Sequence, residues 1–251
     1  MDLNCDLGEG YGIWQLGDDE ALIDVVTSAN VACGFHAGDP SIMRRVCRRA
    51  AERGVAVGAQ VSYPDRAGFG RRFIDMDARD LCDAVVYQIG ALDALARVAG
   101  TRVTYVKCHG ALYHATIDHG EQASAVAAGV AALNPSLVML VAPGSRLQVE
   151  AQQRGLVTVT EAFLDRGYGD DGRLLPRTHP AALVTSVDAV VQRALQLVTT
   201  GAVHSARGER IDIDAGSLCV HSDTPGAADF ASAVRSALVA SGVHLRPFAP
   251  A

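Results

Sequence analysis

Lysine is nearly absent from this chain, and so are the features of exported and membrane-inserted proteins. Of the 22 basic residues, 21 are arginine and one is lysine, Lys107. No stretch of about 18 apolar residues occurs, and the first residues are acidic where a signal peptide would be basic. We therefore expect a cytoplasmic protein without a membrane-spanning segment.

Cysteine pairs and basic patches are also missing. The six cysteines show no C-x-x-C spacing, which argues against a disulfide scaffold. The formal net charge is -6, and no basic segment is interleaved with aromatic residues. We expect neither a nucleic acid nor an anionic membrane surface as a partner.

Several familiar catalytic signatures are absent as well. The chain has no G-x-x-x-x-G-K-[ST] loop, and it could not have one, because its only lysine follows Val106. It also lacks a G-x-G-x-x-G that opens a helix after a strand, a G-x-S-x-G and an H-E-x-x-H. These absences disfavour a P-loop nucleotide site, a serine hydrolase and a zinc protease of the H-E-x-x-H type.

What the sequence does contain is an alternation of short apolar runs with helical stretches. The candidate strands span residues 3–6, 29–33, 56–59, 103–107, 137–141, 157–161 and 218–221. Seven such alternations without a linker predict one α/β domain over residues 1–251. We expect parallel strands closed into an irregular, seven-stranded (β/α) barrel.

Four helices are marked by capping residues. A polar residue at the first turn predicts a helix start, and a glycine after the last turn predicts its end. The predicted pairs are Asp39 with Gly54, Asp77 with Gly100, Ser186 with Gly201, and Thr224 with Gly242.

Polar residues cluster directly after the predicted strands. In a (β/α) barrel the carboxyl ends of the strands meet at one face, where the active sites of such barrels lie. The residues expected there are Asn4, Asp6 and Glu9, His36 and Asp39, Lys107 and His109, Asp165, Arg166 and Arg177 in a loop opened by Glu161, and His221 and Asp223. Three histidines and several carboxylates at one end are more than structural roles explain.

Lys107 stands out because the chain otherwise uses arginine. A retained lysine indicates a role that the larger guanidinium cannot fill. The apolar run before it predicts a buried strand with Lys107 near its end. We expect its compact ammonium to reach a small anionic or developing oxyanion group. The alternative is a surface lysine retained by chance.

The segment of residues 62–72 is long and rich in glycine for a plain connection. Its two adjacent arginines, Arg71 and Arg72, could hold a carboxylate or a phosphate. The alternative is a surface loop with a solvated arginine pair.

Five segments resemble the LamB/YcsF, or lactam-utilisation, family of 5-oxoprolinase A subunits. They are residues 2–10 (DLNCDLGEG), 32–40 (ACGFHAGDP), 63–65 with 68–72 (YPD, GFGRR), 106–113 (VKCHGALY) and 219–226 (CVHSDTPG). The resemblance implies a (β/α) barrel related to those of glycoside hydrolases and polysaccharide deacetylases. It also implies ATP-dependent opening of 5-oxo-L-proline to L-glutamate, carried out with two partner subunits, B and C.

The implied chemistry suggests roles for the clustered residues. Asp6 or Glu9, assisted by His36, would orient or deprotonate water, Lys107 would stabilise negative charge, and His109 would complete the catalytic group. The residues expected to bind the substrate or phosphate are Asn4, Asp39, Tyr63, Arg71, Arg72, Asp165, Arg166, Arg177, His221 and Asp223. The expected cofactor is ATP, with Mg²⁺ as its counter-ion.

Gln60 is a departure from the pattern, because many relatives have Gly-Ala-His-Pro where this chain has Gly-Ala-Gln-Val. Cys108 and Ser222 depart from a usual proline and glycine. The related deacetylases bind a divalent metal through one Asp and two His, and an amide oxygen is a poor substitute for imidazole. A metal could still bind to Asp6, His36 and His109, but we do not expect a tightly bound one.

Two other classes of function remain open. The chain could be a metal-dependent, deacetylase-like amide hydrolase, or a non-catalytic subunit that binds the lactam for its partners. A homo-oligomer is compatible with each of these functions.

Overall fold

The computed structural model describes residues 1–250 and shows a closed barrel of seven parallel strands. The strands of the chain are β1 (Asp2–Leu7), β2 (Ser28–Ala32), β3 (Ala56–Val61), β4 (Val103–Cys108), β5 (Val138–Val141), β6 (Thr158–Phe163), β7 (Ala202–His204), β8 (Arg210–Asp212) and β9 (Ser217–Val220). β1 to β6 pair in chain order, and β9 closes the barrel between β6 and β1. The predicted seven-stranded (β/α) barrel is confirmed.

Helices connect the strands and cover the outside of the barrel. They are α1 (Asp19–Ile23), α2 (Pro40–Arg53), α3 (Ala78–Val98), α4 (Gly110–Asp118), α5 (Gly120–Leu133), α6 (Arg146–Gln153), α7 (Val187–Thr200) and α8 (Ala227–Ala240). The predicted caps Asp39, Asp77 and Ser186 each accept a hydrogen bond from a first-turn N–H. Within residues 1–250, no helix is both long and apolar enough to cross a bilayer.

The predicted start of α8 is wrong by two residues. The helix begins at Ala227, after Gly226 in a left-handed conformation with φ +81°. Thr224, the expected cap, instead donates its hydroxyl proton to Oδ2 of Asp165 at 2.7 Å. The turn before α8 is therefore shaped by a contact across the barrel mouth, which local sequence does not reveal.

Two features of the region after β5 were also not predicted. β6 extends to Phe163, because its ladder with β9 continues to the pair Phe163 and Cys219. Glu161 therefore lies within the barrel wall. The sequence-based expectation that it opens a loop is wrong. The antiparallel pair β7 and β8 stands apart from the barrel, and its three-residue strands are too short for a clear sequence pattern.

The inside of the barrel is polar, because the inward positions of several strands alternate with apolar outward ones. In β1, Leu3, Cys5 and Leu7 join the apolar core, whereas Asn4 bonds to side chains of neighbouring strands. Its Nδ2 donates to Ser217 Oγ at 2.7 Å, and its Oδ1 accepts from Asn30 Nδ2 at 2.7 Å. These bonds satisfy buried polar groups that would otherwise be costly.

Candidate functional site

A cavity of about 600 Å³, the main cavity, opens at the carboxyl ends of the barrel strands. The predicted site residues that line it are Asp6, Arg71, Lys107, His109, Arg166, Arg177 and His221. Others lie directly behind this lining and contact it: Asn4, Glu9, His36, Asp165 and Asp223. The structure therefore brings most of the predicted residues together.

Three predicted residues have other partners, and none of them lines the main cavity. Asp39 accepts from the backbone N–H groups of Ser41, Ile42 and Gly12, so its carboxylate holds α2 and a loop. The Tyr63 hydroxyl donates to the side chain of Gln122 in the apolar core, and the exposed guanidinium of Arg72 pairs with Asp65. The structure gives these three residues structural contacts.

Lys107 is buried, with 2 % of its side chain exposed, and its ammonium is surrounded by acceptors. Nζ lies 3.0 Å from Glu161 Oε2, 3.3 Å from both Asp6 Oδ1 and Asn4 Oδ1, and 3.2 Å from Cys219 Sγ. An ammonium group has three N–H donors, and each can find an acceptor within this set. The geometry does not support the expectation that Lys107 reaches an oxyanion directly.

The charge of Lys107 instead compensates two buried carboxylates. Burial alone would lower the pKa of Lys107, but Asp6 and the other anionic neighbours raise it well above its ordinary value. Burial raises the pKa of Glu161, and the nearby Lys107 opposes that shift. The lysine is thus held charged, and it keeps the carboxylates of Asp6 and Glu161 in place inside the barrel.

His221 and Asp165 form a buried acid–imidazole pair at the cavity wall. His221 Nδ1 lies 2.9 Å from Asp165 Oδ1, and Oδ2 accepts from the backbone N–H of His221 at 3.1 Å. Burial opposes the charged forms, but the mutual attraction lowers the pKa of Asp165 to about 2 and raises that of His221 above its ordinary value. Since Nδ1 is used by Asp165, Nε2 is the nitrogen available to a bound substrate.

Gln60 links two stacked histidines behind the other wall. The rings of His36 and His109 are 3.9 Å apart and 13° from parallel. His109 Nε2 lies 3.0 Å from the carbonyl oxygen of Phe69 and donates to it, so His109 Nδ1 accepts from Gln60 Nε2 at 3.0 Å. Gln60 Oε1 then accepts from His36 Nε2 at 3.2 Å. Burial and, to a smaller extent, the neighbouring His36 lower the pKa of His109 well below its ordinary value. This imidazole is therefore neutral at pH 7.

Within residues 1–250, one group of side chains has the spacing of a metal site: Glu9, His36 and His109. The geometry of this group does not suit a metal ion. Asp6, which the sequence suggested as the carboxylate ligand, is turned towards Asn30 and Lys107. A zinc ion would lie about 2.0–2.1 Å from each imidazole nitrogen and close to each ring plane. Two rings stacked face to face cannot share an ion in this way, and Gln60 already binds both nitrogens.

Three arginines make one side of the main cavity positive. Asp223 bridges Arg71 Nη2 at 2.6 Å and Arg177 Nη2 at 3.4 Å, which fixes both guanidinium groups. Arg166 is buried and donates to the carbonyl oxygens of Ala182 and Leu175. Burial and, to a smaller extent, the nearby Arg177 lower the pKa of Arg166 to about 10. Arg166 therefore remains charged at pH 7. This side of the cavity is suited to a carboxylate or phosphate.

Sequence reasoning missed several residues of the site. Asn30 donates to Asp6 Oδ1 at 2.8 Å, Glu161 pairs with Lys107, and Tyr113 lines the main cavity. One available signal was the alternation of polar with apolar residues in the first two strands, which marks Asn30 as inward-facing. Tyr113 ends the family-like segment of residues 106–113, but its helix α4 is only weakly amphipathic, so the helical pattern did not indicate which way its side chain points.

Comparison with known proteins gives a consistent family assignment. The family model described as LamB/YcsF family matches residues 1–251. The 5-oxoprolinase A subunit of Mycolicibacterium paratuberculosis is 56% identical over 248 residues, which cover 99% of this chain and 98% of the relative. The corresponding A subunit of Streptomyces avermitilis is 57% identical over 249 residues, covering 99% and 100%.

Solved structures support the same fold. The lactam utilization protein from Thermus thermophilus superposes with a TM-score of 0.93 at 41% identity and covers 99% of both chains. A putative cellobiose-phosphate cleavage protein from Enterococcus faecalis superposes with a TM-score of 0.54 at 12% identity, covering 97% of this chain and 95% of that one. The second likeness concerns the fold alone.

Proposed function

Because the chain belongs to the LamB/YcsF family, we propose that it is the A subunit of a 5-oxoprolinase, and that its main cavity opens the lactam ring of 5-oxo-L-proline. The complete enzyme would form L-glutamate and cleave ATP to ADP and phosphate. The observation that carries the proposal is the combination, in one cavity, of three guanidinium groups, the carboxylate of Asp6 and the imidazole of His221. Each matches one chemical demand of the reaction.

The first demand is to hold the carboxylate of the substrate. Arg166 and Arg177 line the cavity as charged donors, and Arg71 lies beside them through Asp223. A guanidinium can bind a carboxylate through two parallel hydrogen bonds, which fixes its orientation as well as its position. The N-terminal end of α4 at Gly110 also lines the cavity and adds positive potential.

The second demand is to position and deprotonate water. Asp6 lines the cavity, and its Oδ1 accepts from Asn30 and Lys107. Its Oδ2 has no hydrogen-bond partner among the residues that the structure describes, so this oxygen is available to a water molecule. The water would attack the lactam carbonyl carbon and give its proton to Asp6.

The third demand is to protonate the ring nitrogen as the bond between carbon and nitrogen breaks. The electron pair of that bond goes to nitrogen, which then needs a proton to leave as an amine. Asp165 raises the pKa of His221 above its ordinary value, which favours the imidazolium form with a proton on Nε2 at the cavity wall. Transfer of this proton leaves His221 neutral and completes ring opening.

ATP would make the lactam more reactive. A five-membered lactam is a poor electrophile, and phosphorylation of its oxygen by ATP would make the ring carbon more electrophilic. Addition of water and cleavage of the C–N bond would then give γ-glutamyl phosphate, which a second water molecule would hydrolyse to L-glutamate and phosphate. The chain has no phosphate-binding loop of the P-loop type. We therefore assign part of the phosphoryl-transfer machinery to partner subunits B and C, with Mg²⁺ accompanying ATP.

Reconstitution tests the proposal. The purified chain should bind 5-oxo-L-proline in calorimetric titration, and Arg177→Ala should weaken this binding, whereas the surface control Arg97→Ala should not. With ATP, the chain alone should not turn over the lactam, and addition of both partner subunits should yield glutamate and phosphate. Robust turnover by the chain alone would contradict the multi-subunit assignment, and absence of turnover in the complete mixture would contradict the function.

A further inference from the structure

A second, smaller cavity of about 300 Å³ adjoins the main cavity and differs from it in chemistry. We call it the side cavity. It lies between the ends of β5 and β6, the loop after β6, and the β7–β8 pair. Both cavities are lined by Tyr113, Asp118, Phe163 and Leu174. A ligand in the side cavity would therefore be next to a substrate in the main cavity.

Two polar atoms of the side-cavity lining are buried without a hydrogen-bond partner. They are Glu161 Oε1, whose side chain is fully buried, and the Tyr113 hydroxyl. A buried polar atom without a partner costs about 1–3 kcal/mol, and native structures contain few of them. A carboxylate oxygen accepts hydrogen bonds, so the missing partner of Glu161 is an N–H or O–H donor.

The walls and rim of the side cavity restrict the ligand further. Part of the wall is apolar and is formed by Ile117, Leu174, Ile211 and Ile213. The rim carries the acidic residues Asp118, Asp171 and Asp212, and its one cation, Arg173, is already paired with Asp118 and Asp171. Such a cavity disfavours an anion and suits an uncharged ring that presents an N–H donor.

We infer that the side cavity binds the purine base of ATP, with the amino group of the base donating to Glu161 Oε1. This inference rests on the proposed ATP-dependent function and assigns a place for the base on this chain. The phosphates would extend towards Arg71 in the main cavity, which leaves Arg166 and Arg177 to the carboxylate of the lactam. The lactam ring also has an N–H, but its carboxylate would face the acidic rim, so the purine fits better.

Uncharged nucleosides provide the direct test, because they lack the phosphates that the arginines would attract. Adenosine should bind to the isolated chain in calorimetric titration. Purine riboside, which lacks the amino group, should bind about tenfold or more weakly, the loss expected for a hydrogen bond to a charged acceptor. In Glu161→Gln this difference between the two nucleosides should shrink, even if the variant is less stable.

A cavity-filling variant provides an independent test. Ile211→Trp should weaken adenosine binding at least tenfold while 5-oxo-L-proline binding stays within about twofold. Arg210→Trp, on the neighbouring position of β8 and outside the cavity lining, is the matched control and should bind both as the parent chain does.

The outcomes separate the cavity assignment from the proposed function. If Ile211→Trp weakens 5-oxo-L-proline binding and leaves adenosine binding unchanged, the side cavity holds the lactam and the inference is wrong. The inference is also wrong if adenosine does not bind, or if Ile211→Trp leaves its binding unchanged, in both the isolated chain and the reconstituted complex. Turnover of 5-oxo-L-proline by that same complex would show that the proposed function survives this failure.

Discussion

His221 and the carboxylate of Asp165 are joined by two hydrogen bonds, one from the ring Nδ1 at 2.9 Å and one from the backbone N–H of His221 at 3.1 Å. Asp165 is fully buried, so it can act only through His221 and the turn that carries it. The pair fixes the orientation of the ring and raises its pKa, which suits a proton donor near neutral pH.

The pH dependence of turnover should report this pair. A proton donor works in its protonated form, so kcat/KM should fall as pH rises through the raised pKa of His221. Asp165→Asn removes the negative charge that raises this pKa, so the alkaline limb should move to lower pH. The reconstituted enzyme should be measured from pH 5 to 10, with the exposed His244→Gln as control. An unmoved alkaline limb in Asp165→Asn would exclude His221 as the titrating acid.

Removal of the imidazole should lower turnover more than binding. We expect His221→Gln to reduce kcat by about 10²- to 10⁴-fold, the usual contribution of general acid catalysis. Binding of 5-oxo-L-proline should change little, because the arginines hold its carboxylate. Titration calorimetry and steady-state kinetics on the same variant separate these effects, and a large loss of binding with unchanged kcat would assign His221 to recognition instead.

Substitution of Lys107 should destabilise the fold. Lys107→Ala leaves Asp6 and Glu161 buried without their cation, a change that typically costs about 3–5 kcal/mol. Lys107→Arg should also be destabilised, since the guanidinium is larger than the enclosed space. Urea denaturation measures the free energy of unfolding of both variants. The control is Arg97→Ala, which removes an exposed ion pair worth about 1 kcal/mol or less. Wild-type stability of Lys107→Ala would show that the ion network is dispensable.

Metal chelation should have little effect beyond that on Mg²⁺ bound to ATP. Gln60 binds the nitrogens of both stacked histidines, and their rings cannot share an ion. With excess Mg²⁺ restored, enzyme treated with a zinc-selective chelator should retain its activity, and Gln60→His should change activity modestly. Strong inhibition that added zinc reverses would instead establish a metal centre.

Tyr113→Phe should leave the protein at least as stable as the parent. The Tyr113 hydroxyl is buried without a partner, so its removal sacrifices no hydrogen bond within the protein and relieves a desolvation cost of about 1–3 kcal/mol. The melting temperature should stay level or rise. A clear fall would show that the hydroxyl has a structural partner, such as a bound water molecule.

The sequence by itself determined the barrel and the end of it that carries the site. Seven apolar runs separated by capped helices predict parallel strands, and the carboxyl ends of parallel strands meet at one face. That rule was enough to bring Asp6, Lys107, His109 and His221 to one cavity. It needs only local periodicity and chain connectivity, both of which are written along the sequence.

Only the tertiary structure decided which of these residues face one another. Lys107 could have faced a substrate, but the register of β4 and β6 places it against Glu161, more than fifty positions away in the chain. The same holds for Glu9, which lies beside His36 and His109 where Asp6 had been expected. Side-chain partners across a closed barrel depend on strand register and on which face of each strand points inward, and a contact between distant strands leaves no local pattern to read.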